Sequence, residues 1–200
     1  SSAASDVYKR QVQRLRMVKD SHLRNFTVVN TADCTGAISF RYAEQCSARN
    51  IRVEIPVVAD NYCPFSINWS KYVSCLGCST MFDEELAALL KPIAAEGFKA
   101  YSRYNLFCIF ASFGCGFEQC ESDFSTHAFN ITAGRVGHIP CVGCYVRNCR
   151  ASNAVWAGVI VQQACCNSLL EGNKVSGSAQ GVVSGGRNTV IRNNEVYCDL

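Results

Sequence analysis

An excess of charge and a long apolar run are both missing from this 200-residue chain. The 19 Lys and Arg stand against 16 Asp and Glu, a formal net charge of +3, and the two signs are mixed along the sequence. Without a basic stripe the chain lacks the electrostatic footprint of a nucleic-acid binder. Its uninterrupted apolar runs are only a few residues long, against about 20 residues for a membrane-spanning helix. Neither nucleic acid nor membrane is therefore expected as a partner, and the composition is that of one soluble domain or part of one.

What is present in quantity is cysteine, 14 residues in all. In a small secreted domain such a count signals a disulfide framework. A chain with a continuous core can instead pack reduced thiols as small hydrophobes. Two CxxC pairs, Cys75/Cys78 and Cys141/Cys144, raise zinc as a third reading, but 62 residues separate them, far more than the usual zinc spacing of about 15 to 20. Buried thiols are the reading favoured here, and no metal site is expected.

The last third of the chain repeats. Tyr145 to Ala151, Leu169 to Val175 and Val190 to Val196 superimpose without gaps at steps of 24 and 21 residues. A period of that size with one short strand per copy marks a solenoid. Val146, Leu170 and Ile191 form an apolar column, followed by Arg147, Glu171 and Arg192. Side chains alternate faces along a strand, so the first column points into a core and the second into water. Cys149, Asn173 and Asn194 fall where the strand must bend, and an Asn there can satisfy the backbone and bond its equivalent in the next coil. A second strand repeats as Ala157 to Val161 and Gln180 to Ser184, while Phe26 to Val28 and Ile51 to Val53 lie 25 residues apart with Ala37 to Phe40 between them.

These columns resemble the right-handed parallel β-helix of pectate-lyase-like proteins, whose coils read roughly as apolar, charged, Asn, Asn, any residue, apolar. The resemblance covers about residues 23 to 197 and implies an all-β solenoid. Residues 1–11 resemble a translated sequencing-library adaptor and are set apart as an artefact, carrying Lys9, Arg10 and Asp6 and so leaving +2 for the rest. The expectation is one β-helix domain over 12–200, truncated at both ends. At 82–96 the period changes towards 3.6: Phe82, Leu86, Leu89, Leu90 and Ile93 make a stripe behind Asp83 to Glu85, with Gly97 as its stop. A short helical excursion is expected there. The aromatic return from Tyr101 to Phe113 reads as core. Three sequons, at Asn25, Asn68 and Asn130, carry no functional weight.

Reactive side chains are densest from Phe117 to Phe129, followed by Arg135 and His138. Glu121 and Asp123 are two apart, so on a strand they share a face about 6 to 7 Å apart. That lies between the separations of retaining and inverting glycosidases, about 5 to 5.5 Å and 6.5 to 9.5 Å. Glu121, Asp123 and His127 are accordingly the candidate catalytic residues, with Trp156, Arg135 and Glu118 as candidate substrate-binding residues. Each has a plainer alternative: solvated carboxylates on an outer face, a histidine packed at a corner, a tryptophan packed between coils.

The stretch from Cys120 to Thr126-His127-Ala128-Phe129 resembles a segment of phage tailspike and pre-neck-appendage-like proteins, with Thr126 where many of those carry Arg. That resemblance implies a virion component, assembled in a host cytoplasm, that binds host surface polysaccharide with or without depolymerising it, and a homotrimer. The alternatives are a secreted pectate-lyase-like lyase, glycosidase or epimerase, and a non-catalytic structural or adhesin β-helix. A uronate lyase commonly holds Ca²⁺ with clustered Asp residues, and no three Asp residues share a register here. No cofactor is expected, Ca²⁺ entering only with the lyase alternative.

Overall fold

The repeating columns of the sequence are real columns in space. The computed structural model describes residues 17–29, 36–55, 63–82, 105–134 and 139–197. In it Tyr145–Arg147, Leu169–Glu171 and Val190–Arg192 pair in parallel, Tyr145 on Leu169 and Leu169 on Val190. The chain is an all-β parallel β-solenoid of about five turns, without a helix among the described residues. The helical excursion expected over 82–96 lies outside the described residues except for Phe82, which ends the strand Ser79–Phe82.

Each coil passes through three stacks of parallel strands. The first holds Ile38–Arg41, Phe65–Asn68, Asn105–Phe110, the second halves of Glu121–Thr132 and Arg150–Val161, and Gln180–Ser184. A single-residue bridge then connects Glu44, Lys71, Phe113, Val142, Cys166 and Arg187 from coil to coil. The second stack is built from the starts of His22–Val29 and Ser47–Ile55, whose ends pair on in the third, then Ser74–Leu76, Gly116–Glu118, Tyr145–Arg147, Leu169–Glu171 and Val190–Arg192. The third contains the end of Ser47–Ile55, Ser79–Phe82, the first halves of the two 12-residue strands, Lys174–Ser176 and Glu195–Tyr197.

The core is a set of vertical ladders, because in-register parallel coils place like residues on like. In the first stack Phe65, Phe107 and Phe129 stack with ring centroids 4.6 and 4.9 Å apart. Beside them Ile67, Ile109 and Ile131 are all fully buried. Phe117 enters from the second stack and meets Phe107 edge-on at 5.2 Å. Val53, Thr80, Ala151 and Val175 form the inner column of the third stack. There, a Cβ on Gly158 would collide with Val175, and one on Gly181 with Val196, so the glycines of the Gly-Val repeat are places where two stacks nearly touch.

Corners have a fixed chemistry. Between the second and third stacks Asn25, Asn50, Gln119, Asn148 and Asn193 take positive φ, and Gly77 and Gly172 hold the same place in their coils. The left-handed region suits Asn and Gly best among the residues. Where Gly77 follows Asn50, a Cβ would come within 2.7 Å of the Asn50 Oδ1. Trp69, which breaks the alternation of its segment, also sits at a corner with φ 54°.

Cysteine is a corner residue in this fold. The position after the left-handed residue is Ile51, Cys78, Cys120, Cys149, Asn173 and Asn194 in successive coils. Cys120 and Cys149 each donate an S–H to the carbonyl two residues back, at 3.3 Å. Another corner holds Ser70 and Ser112 and then, in the next two coils, Cys141 and Cys165, and Ser112 Oγ donates to Phe110 O at 2.7 Å in the same way. The 12 described cysteines are all unpaired, and all are buried except the half-buried Cys63 and Cys166. Burial, ahead of neighbouring thiols, pushes Cys120 far above its ordinary value and Cys115 up to about 12. Cys120 and Cys115 are packed, neutral thiols.

Candidate functional site

A groove of about 740 Å³ runs over the outer face of the first stack. It exists because that face carries an unusual mixture of side chains. Asn130 and Ile160 are register partners, and Ile160 is followed by Val183. One position on, Thr132 donates its hydroxyl to Gln162 Oε1 at 2.8 Å. Asn105 and Gln180 lie towards the strand starts, and Trp156 forms one wall, 36% exposed.

Trp156 reaches the groove through a break in register. Ser125 pairs with Ala154 but His127 pairs with Ala157, so Val155 and Trp156 together oppose the single Thr126. Such a bulge bends the strand and re-aims a side chain. His127 lies beside it with Nδ1 2.7 Å from Asn105 Oδ1. A carbonyl oxygen can only accept, so Nδ1 carries the proton. Burial holds this imidazole down at about 4, so it is neutral at physiological pH.

Asn130 is the exceptional member. It is 2% exposed, and its Oδ1 has no hydrogen-bond partner.

The other expected site residues are distributed around the solenoid. Glu118 lies on the second stack and forms an ion pair with Arg147 at 3.0 Å. Glu121 and Asp123 flank the buried Ser122, so they do share the outer face of the third stack. Glu121 is exposed beside Arg150 and Lys174 at a hollow of about 310 Å³. Asp123 Oδ1 accepts from Phe124 N, Ser152 Oγ and Asn153 Nδ2, at 3.0, 3.0 and 2.7 Å. It braces the corner at Phe124, where φ is 49°. That corner turns the chain from the third stack to the first, leaving the carboxylates on one wall and His127 with Trp156 on another. Arg135 lies outside the described residues.

Trp156, a candidate from the sequence, lines the groove, and the sequence did not single out the amides beside it. Asn105, Gln162 and Gln180 sit in no recognisable motif, and Asn130 was noticed only as a sequon. The one available signal was the outward parity of Asn130 and Thr132 on their strand.

No protein-family model matches the chain, and a search of the curated proteins gave no match. The fold alone therefore places the molecule, as a parallel β-solenoid with an amide-lined groove on one wall.

Proposed function

We propose that this chain is a polysaccharide-binding β-solenoid, the shaft of a phage tailspike or appendage that holds host surface glycan along its first stack. The observation carrying this reading is the groove itself, which the Trp156 ring lines together with several amide side chains. Aromatic faces take the apolar face of a sugar ring while amides match its hydroxyls. Binding is preferred to cleavage because, among the described residues, no carboxylate lines the groove, and glycosidases commonly work with a carboxylate pair. The unpaired cysteines support assembly in a reducing compartment, which suits a virion protein better than a secreted enzyme. A homotrimer of parallel shafts belongs to the same reading.

Affinity electrophoresis through gels containing polysaccharide tests it. Wild-type chain is expected to be retarded, and Trp156→Ala to lose about tenfold or more in affinity, the scale of a buried aromatic anchor. Equal retardation of both proteins by every bound polymer would remove the groove from the reading.

The secreted-enzyme alternative finds its best support at the hollow where Glu121 meets Arg150 and Lys174. Release of unsaturated oligosaccharides from a uronate polymer, abolished by Arg150→Ala, would favour it.

A further inference from the structure

We infer that the Trp156 groove selects an uncharged sugar unit, a hexose or N-acetylhexosamine, over a uronate, and that Asn130 is the residue that reads it. This rests on the proposal that the groove is a glycan site.

The polar side chains lining the groove are Asn105, Asn130, Thr132, Gln162, Gln163 and Gln180. All are amides or a hydroxyl. Among the described lining residues there is no Lys, Arg, Asp, Glu or His. A carboxylate entering a partly dry groove gives up hydration that an opposite charge replaces best. Hydroxyl and acetamido groups need mixed donors and acceptors, which amides supply.

Asn130 supplies the discriminating acceptor. Its Oδ1 is buried and unmatched, a state that costs stability. Ile160, its register partner on one side, has no polar side-chain atom, the Cys108 thiol on the other side makes no hydrogen bond to it, and Thr132 already donates to Gln162. Nδ1 of His127 is engaged by Asn105. A sugar O–H or acetamide N–H donated to Asn130 Oδ1 removes the deficit, whereas a carboxylate brings another acceptor to an acceptor. Because Thr132 occupies Gln162 Oε1, Gln162 retains its amide nitrogen as a donor, completing a donor and acceptor pair for a neutral unit.

The test uses the full chain in affinity electrophoresis against dextran, galactomannan and soluble chitin oligomers as neutral probes, with polygalacturonate and alginate as anionic ones. Retardation by at least one neutral probe and by neither anionic probe is expected. Asn130→Leu is expected to weaken that retardation about tenfold, while its urea midpoint is unchanged or raised because an unmatched acceptor has been removed. A purely structural asparagine would lower the midpoint instead. Retardation by anionic probes alone, lost in Trp156→Ala, overturns the inference and leaves glycan binding standing. Retardation by no probe overturns both. Neutral retardation unchanged in a folded Asn130→Leu overturns the role of Asn130, and if that variant does not fold, the neutral against anionic comparison on wild type still decides selectivity.

Discussion

His127 shows how burial alone sets the behaviour of a residue. Its folded value of about 4 lies below an unfolded value near 6.5. Between those values the unfolded chain binds the extra proton, so stability is intact above about pH 6.5 and falls as pH drops towards 4. The displacement is worth up to about 3 kcal/mol. Urea midpoints measured from pH 7 to pH 4 should decline in wild type and decline less in His127→Asn. Parallel curves would mean that His127 titrates normally. Cysteine at this scale is a substitute for serine or asparagine: Cys149 and Ser112 cap the same kind of carbonyl, and the thiol adds apolar volume facing the core.

Within an element, stability is concentrated at the corners. Asn173 is fully buried, accepts from Cys149 N at 3.0 Å and donates to Val146 O at 3.0 Å and Asn194 Oδ1 at 2.9 Å. Asn194 repeats the pattern by donating to Leu170 O at 3.0 Å. Asn173→Ala strands a backbone N–H and a carbonyl between coils, and about 2 to 4 kcal/mol should be lost in chemical denaturation. Asn173→Cys should lose less, since Cys149 occupies the equivalent corner one coil earlier. An equal loss in both variants would show that the thiol does not replace the amide. The outer ion pairs, such as Arg192 with Glu171, are solvent-exposed and contribute little, about 0 to 1 kcal/mol each.

Taken whole, the molecule is a stack whose last described coil has no coil above it among the described residues. Ile191 and Val196 continue columns that are fully buried at Leu170 and Val175, yet they are 47% and 44% exposed. In a 200-residue chain ending here, an apolar face beside unpaired strand edges, which a further coil would cover, invites self-association. Light scattering after size-exclusion chromatography should show wild type forming concentration-dependent oligomers, and Ile191→Lys with Val196→Lys shifting them towards smaller species. A discrete trimer indifferent to both substitutions would instead point to side-by-side packing of shafts.

The sequence by itself determined the solenoid and the direction of most of its side chains. Val146, Leu170 and Val175 point inward and Arg147 and Glu171 outward, as alternation requires, because in-register stacking turns a repeat in sequence into a column in space. It also determined the Asn173 to Asn194 ladder, since a bend needs its backbone satisfied locally. Only the tertiary structure decided which residues share the groove. Asn105, Asn130 and Gln180 meet through the pairing of coils whose spacing is irregular, and Trp156 joins them through a bulge that no periodicity announces. The corner at Phe124 likewise separates Asp123 from His127, four residues apart in the chain, because a change of stack sends neighbours in sequence to different walls.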